Sequence, residues 1–131
     1  MTRKHISVLL FCLYLGAVAA LCFVHGEQLP DLPSKWLGIP ADKVMHALMF
    51  LPFPILAFQA FHSHDKRISG SLILLAVSAV VGAGVAVATE KLQGILEYRT
   101  YEFLDLIADF TGIIAGTVFC AVYIFVRSKR K

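Results

Sequence analysis

Apolar residues in this chain come in long blocks rather than in the stripes of an amphipathic helix. Four runs stand out: Ile6–Val24, Val44–Phe61, Leu72–Thr89 and Phe103–Val126. A bilayer core of about 30 Å is crossed by about 20 mostly apolar residues in a helix. A helix also satisfies its own backbone polar groups, which lipid cannot do. The pattern predicts an all-α integral membrane protein, a compact bundle of four transmembrane helices over residues 6–24, 42–62, 70–97 and 103–126, forming one domain over 1–131.

Composition supports this. Hydrophobic residues make up 58% of the 131-residue chain, against roughly 45–50% in soluble domains. The four runs leave too little chain for a separate soluble core. Arg3 and Lys4 before the first run resemble the start of a signal peptide. The apolar stretch that follows exceeds the usual 7–15 residues of such a segment, and Leu21 precedes Cys22 where a lipoprotein signal has a small residue. The expectation is an uncleaved first helix. Cys12, Cys22 and Cys120 are odd in number and match no zinc or redox spacing, so they read as small apolar packing residues.

Charge adds an orientation. Arg3, Lys4, Lys66, Arg67, Arg127, Lys129, Arg130 and Lys131 are eight of the twelve basic residues, and all fall on one side of a four-span arrangement. Loops rich in Lys and Arg face the cytoplasm, so both termini are expected inside. Contact with anionic lipid accounts for the net charge of +3 without any nucleic acid. Eight of the nine acids fall on the opposite, outer half; only Asp65 is inside.

Breakers refine the spans. The first outer loop, His25–Ala41, holds Pro30, Pro33, Pro40, Gly26 and Gly38 and reads as an ordered, turn-rich loop, with Trp36 suited to the interfacial belt. Pro52 and Pro54 predict a kink in the second span. Gly82 and Gly84 in the third span, and Gly112 with Gly116 in the fourth, predict close helix approach.

The candidate chemistry lies at the outer ends of three spans. Asp42 and His46 are four apart and share a helix face, with Lys43 between them. Glu90, Gln93 and Glu97 form one stripe as the third span ends, Arg99 occupies the next turn, and Asp105 and Asp109 open the fourth span. At a rise of about 1.5 Å per residue, His46, Glu90 and Asp109 sit at similar depths. Ionisable groups within a span are costly, so they gather in bundle interiors or water-lined cavities. The expectation is a shared polar cluster of Asp42, Lys43, His46, Glu90, Gln93, Arg99, Asp105 and Asp109. Two other runs have plainer readings. His62-Ser63-His64-Asp65 suits a solvated turn, and Glu97–Glu102, with interleaved aromatics, suits interface anchoring.

The ordered set Asp42-Lys43-x-x-His46 with Phe50, Glu90-x-x-Gln93, Arg99, and Asp105-x-x-x-Asp109-x-x-Gly112 resembles the VanZ-like family over roughly Ile39 to Gly116. That family opens its second helix with D-K-x-x-H, closes its third with E-x-x-Q and opens its fourth with D-x-x-x-N-x-x-G. Asp109 stands where the family has Asn. The resemblance implies a small multi-pass protein of the bacterial cytoplasmic membrane. The family's namesake is associated with resistance to the glycopeptide antibiotic teicoplanin.

On these grounds the expected function is non-enzymatic. An outward-facing polar pocket would bind a cell-envelope lipid headgroup, a lipid-linked wall precursor or a glycopeptide-type drug, and so affect antibiotic susceptibility. Arg99 and Lys43 would supply cations for phosphate. No cofactor and no metal are expected. The alternative is a small proton-coupled transporter or flippase working through His46 and the carboxylates, which at this size calls for a homo-oligomer. A membrane-embedded metal-dependent enzyme is the third reading, disfavoured because no H-x-x-x-H, nucleophile or phosphatase motif is present.

Overall fold

Long apolar runs with few interior breakers fold as long helices. In the computed structural model, which describes residues 1–24, 33–63, 67–96 and 101–130, the chain forms α1 (Arg3–Phe23), a short hairpin β1 (Lys35–Trp36) and β2 (Ile39–Pro40), α2 (Ala41–Phe50), α3 (Pro52–Phe61), α4 (Ile68–Ile95) and α5 (Phe103–Lys129). Four helical stretches are long and apolar enough to cross a membrane, with α2 and α3 counting as one of 21 residues. They pack as a bundle. Each span runs one to three residues beyond its predicted bounds at one end, and the first three stop one or two residues short at the other; polar residues such as Arg3, Arg127 and Lys129 continue the helical turns.

The termini follow ordinary helix chemistry. Thr2 caps α1, its side chain accepting from the His5 amide at 3.4 Å while the His5 ring accepts from the Thr2 amide. Asp105 lies in the first turn of α5, and Arg127 and Lys129 lie in its last, each sign complementing the helix dipole.

The second span is divided at Leu51, directly before Pro52. Pro52 and Pro54 lack the N–H groups that would continue the ladder. Leu51 keeps helical angles and its amide still donates to Ala47 O at 3.0 Å, so the axis continues beyond the break. Tyr14 of α1 donates from its hydroxyl to Met49 O at 2.6 Å and ties the first span to this point.

The hairpin is a small feature the apolar pattern did not predict. Its turn residues Leu37 and Gly38 both have positive φ, 51° and 81°, the geometry that joins two short strands tightly. It leads straight into α2 and sets where that helix begins.

The core runs along the bundle in two clusters. One gathers Val18, Cys22, Phe50, Ala86, Leu106 and Ile113; the other gathers Phe58, Leu75, Cys120 and Ile124. Cys22 and Cys120 are buried packing residues as expected, whereas Cys12 is exposed. Many large apolar side chains, among them Leu13, Val80, Phe119 and Val122, point outward, as suits helices solvated by lipid.

Two glycines govern how closely α5 approaches the second span. A Cβ at Gly112 would overlap the backbone of Ala47 and Leu51, and one at Gly116 would overlap Leu51 O and Pro54. The G-x-x-x-G face therefore lies directly on the α2–α3 backbone at the proline break. Gly82 faces the ring of Phe53, while Gly84 faces open space. Close packing thus accounts for three of these four glycines.

Candidate functional site

The close approach of α5 to α2 brings their polar first turns together. His46 is one residue before Ala47, and Asp109 is three residues, about one helical turn, before Gly112. Glu90, one turn from the end of α4, points at the same place. Six expected residues meet there, Asp42, Lys43, His46, Glu90, Asp105 and Asp109, and they form two connected groups.

The rim group is built around Lys43. Its ammonium lies 2.9 Å from Asp42 Oδ2 and also pairs with Glu102 and Asp105. Asp42 and Glu102 are half-exposed, at 58% and 49%, whereas the Lys43 side chain is only 15% exposed. Three carboxylates therefore surround one largely buried ammonium. Lys43 is not a free cation held out for phosphate, because its three N–H donors already face acids of this chain.

The buried group is His46, Glu90 and Asp109. The Nδ1 of His46 is hydrogen-bonded to Asp109 Oδ1 at 2.8 Å and lies 3.9 Å from Glu90 Oε1. On the other edge of the ring, Nε2 lies 3.4 Å from Asp105 Oδ2, so Asp105 joins the buried group to the rim. Glu90 and Asp109 are each 1% exposed. Neither oxygen of Glu90, nor Oδ2 of Asp109, makes a hydrogen bond. Buried carboxylate oxygens are nearly always satisfied, so three unsatisfied ones around a single imidazole are unusual.

Charge at this end is unbalanced. Among the described residues, Asp42, Glu90, Glu102, Asp105 and Asp109 face only Lys43 and His46 as cationic partners. Among these residues the excess is negative and is shared between the rim and the buried group.

Two expected members behave differently. Gln93 is buried but its amide donates to Cys22 O at 2.7 Å, so it fastens the end of α1 to α4. Helical spacing set Gln93 on the stripe of Glu90; only the position of α1 shows which partner its amide takes. Arg99 and Glu97 lie outside the described residues, as do His64 and Asp65; the neighbouring His62 stacks on Phe58 at 4.6 Å. Glu102, which the sequence placed in an anchoring run, belongs to the rim. Its signal was its position three residues before Asp105, over the same helix end.

No curated protein and no solved structure matches the chain. The family model VanZ/LLP1 matches residues 9–126, which takes in all four spans and every residue of both polar groups. This multi-pass membrane protein, with its D-K-x-x-H helix set against the carboxylates of α4 and α5, belongs to the VanZ/LLP1 family.

Proposed function

We propose that the polar end of the bundle is a binding site for the head of an envelope amphiphile: a lipid headgroup, a lipid-linked wall precursor or a glycopeptide-type drug. The observation that supports the reading is a buried group, net-acidic among the described residues, bordered by half-exposed acids at the end of lipid-facing helices. A head that brings positive charge, as an amine or as an accompanying cation, complements it. Lys43 does not offer a free cation to a bare phosphate, because it is already enclosed by acids. The reading is one of binding rather than catalysis. Through it the protein would alter susceptibility to envelope-directed drugs.

The site faces outward in this reading, with both termini in the cytoplasm of a bacterial cell, since eight basic residues cluster at the other end. Thr2→Cys in a background free of other cysteines should react with an impermeant thiol reagent only after the cells are opened. Labelling in intact cells would reverse the orientation and move the site to the cytoplasmic face.

Binding is tested by melting the detergent-purified protein with defined heads. Phosphatidylethanolamine, with its ammonium, should raise the wild-type melting temperature by roughly 5 °C near saturation, and phosphatidylglycerol should not. The double variant Asp42→Asn/Glu102→Gln, which neutralises the exposed rim acids, should lose most of that shift. No shift with ethanolamine lipid, lipid-linked wall precursor or glycopeptide would end the headgroup reading.

A further inference from the structure

The geometry points to His46, Glu90 and Asp109 as a binding site for one first-row divalent metal ion of the Zn2+ or Mn2+ type. This names the cation that would complement the acidic site proposed above, although the metal site stands on its own residues.

Geometry comes first. One nitrogen of His46 and one oxygen from each of Glu90 and Asp109 all lie within 4.8 Å of one another. Ligand atoms on such an ion are separated by about 3–3.5 Å, because each bond is about 2.0–2.2 Å. The imidazole nitrogen is already 2.8 Å from Asp109 and 3.9 Å from Glu90, so small side-chain rotations bring the set onto one ion. The three come from α2, α4 and α5, whose backbones are held by the packing around Gly112.

The second observation is independent of the clustering. Glu90 is 1% exposed, and both its oxygens lack hydrogen bonds although Oε1 faces the imidazole. Taking a carboxylate out of water without a hydrogen bond is unfavourable. Two buried carboxylates and a neutral imidazole carry two negative charges, and a dication cancels them. It also uses the acceptor oxygens that the protein leaves unmet.

The surroundings of His46 fit the same role. Imidazoles that bind metals commonly have a carboxylate at the other ring nitrogen, which sets ring orientation and raises basicity. Asp105 occupies that position, 3.4 Å from Nε2, and is itself held by Lys43. A mixed nitrogen and oxygen donor set selects Zn2+ or Mn2+ over Mg2+ and Ca2+, which prefer oxygen alone.

The test uses the full chain in detergent, stripped with chelator and then titrated with Zn2+ or Mn2+ alone. Wild type should retain one ion per chain by elemental analysis after dialysis. At a hundredfold excess over Kd its melting temperature should rise on the order of 10 °C. Glu90→Gln and Asp109→Asn remove a charge with little change of shape, so they should still fold and should bind at least tenfold more weakly. Asp105→Asn should weaken binding by about ten- to a hundredfold. Cys12→Ser, far from the site, should bind as wild type does. Sub-stoichiometric metal in wild type, or wild-type affinity in Glu90→Gln, would overturn the proposal. If ethanolamine lipid stabilises the chelated protein while no metal binds, the metal site is wrong and the headgroup reading survives. If metal binds but no head does, the reverse holds.

Discussion

Replacing Gly112 with alanine should cost about 2–3 kcal/mol or more, and replacing Gly112 and Gly116 together should prevent the bundle from forming. The added Cβ atoms would meet backbone of Ala47 and Leu51, and backbone within a helix cannot rotate out of the way as a side chain can. Overpacking a tight core typically costs 1–3 kcal/mol, and here relief requires moving a whole helix. That movement would also separate His46 from Asp109, because both sit within a turn of the contact. Gly84→Ala is the matched control. Nothing lies within 4 Å of its new Cβ, and alanine is the better helix former by up to about 1 kcal/mol. Melting in detergent should show Gly112→Ala lowered by many degrees and Gly84→Ala equal to wild type or higher. Equal stability of all three proteins would mean that α5 does not rest on the proline break.

His46→Ala should destabilise the chelator-treated protein by about 3–5 kcal/mol, the usual cost of removing one partner from a buried ion pair. The loss comes from what remains. Glu90 and Asp109, each 1% exposed, would face each other with no donor between them. The double variant His46→Ala/Asp109→Asn should therefore be more stable than His46→Ala alone, because a neutral amide no longer has to hold a buried charge. Strictly additive losses, within about 0.5 kcal/mol, would show that the two side chains do not depend on each other. Asp109→Asn on its own should be mild, since it trades a charge for a group of the same shape.

The relation between the two polar groups bears on how a ligand would enter. Asp105 touches both Lys43 and His46, so a change at the rim is felt at the buried imidazole through one carboxylate. A head that draws Asp42 or Glu102 away from Lys43 would leave Asp105 as the ammonium's main partner and alter its hold on His46. The two binding proposals are thus linked through a named residue while remaining separable by experiment.

What the sequence determined by itself was the layout along the chain. Continuous apolar runs of spanning length force helices in lipid, so four helices, their order and their bounds to within three residues were legible in the pattern. That His46, Glu90 and Asp109 lie level with one another was legible too, because a helix advances by a constant rise. Spacing within one helix, however, says which face a residue occupies and not what stands opposite. Gln93 shares the stripe of Glu90, yet its amide bonds the carbonyl of Cys22; that depended on where the end of α1 lies. Lys43 looked like a cation offered to a ligand, yet it is enclosed by Asp42, Glu102 and Asp105, two of which lie some 60 residues further on. The glycines of α5 signalled close packing, but only the packed bundle shows that they rest on the backbone at the proline break and so bring Asp109 to His46. Local periodicity is a property of one helix. Partnership is decided by the angle and distance between helices, which depend on side-chain volumes across the whole interface.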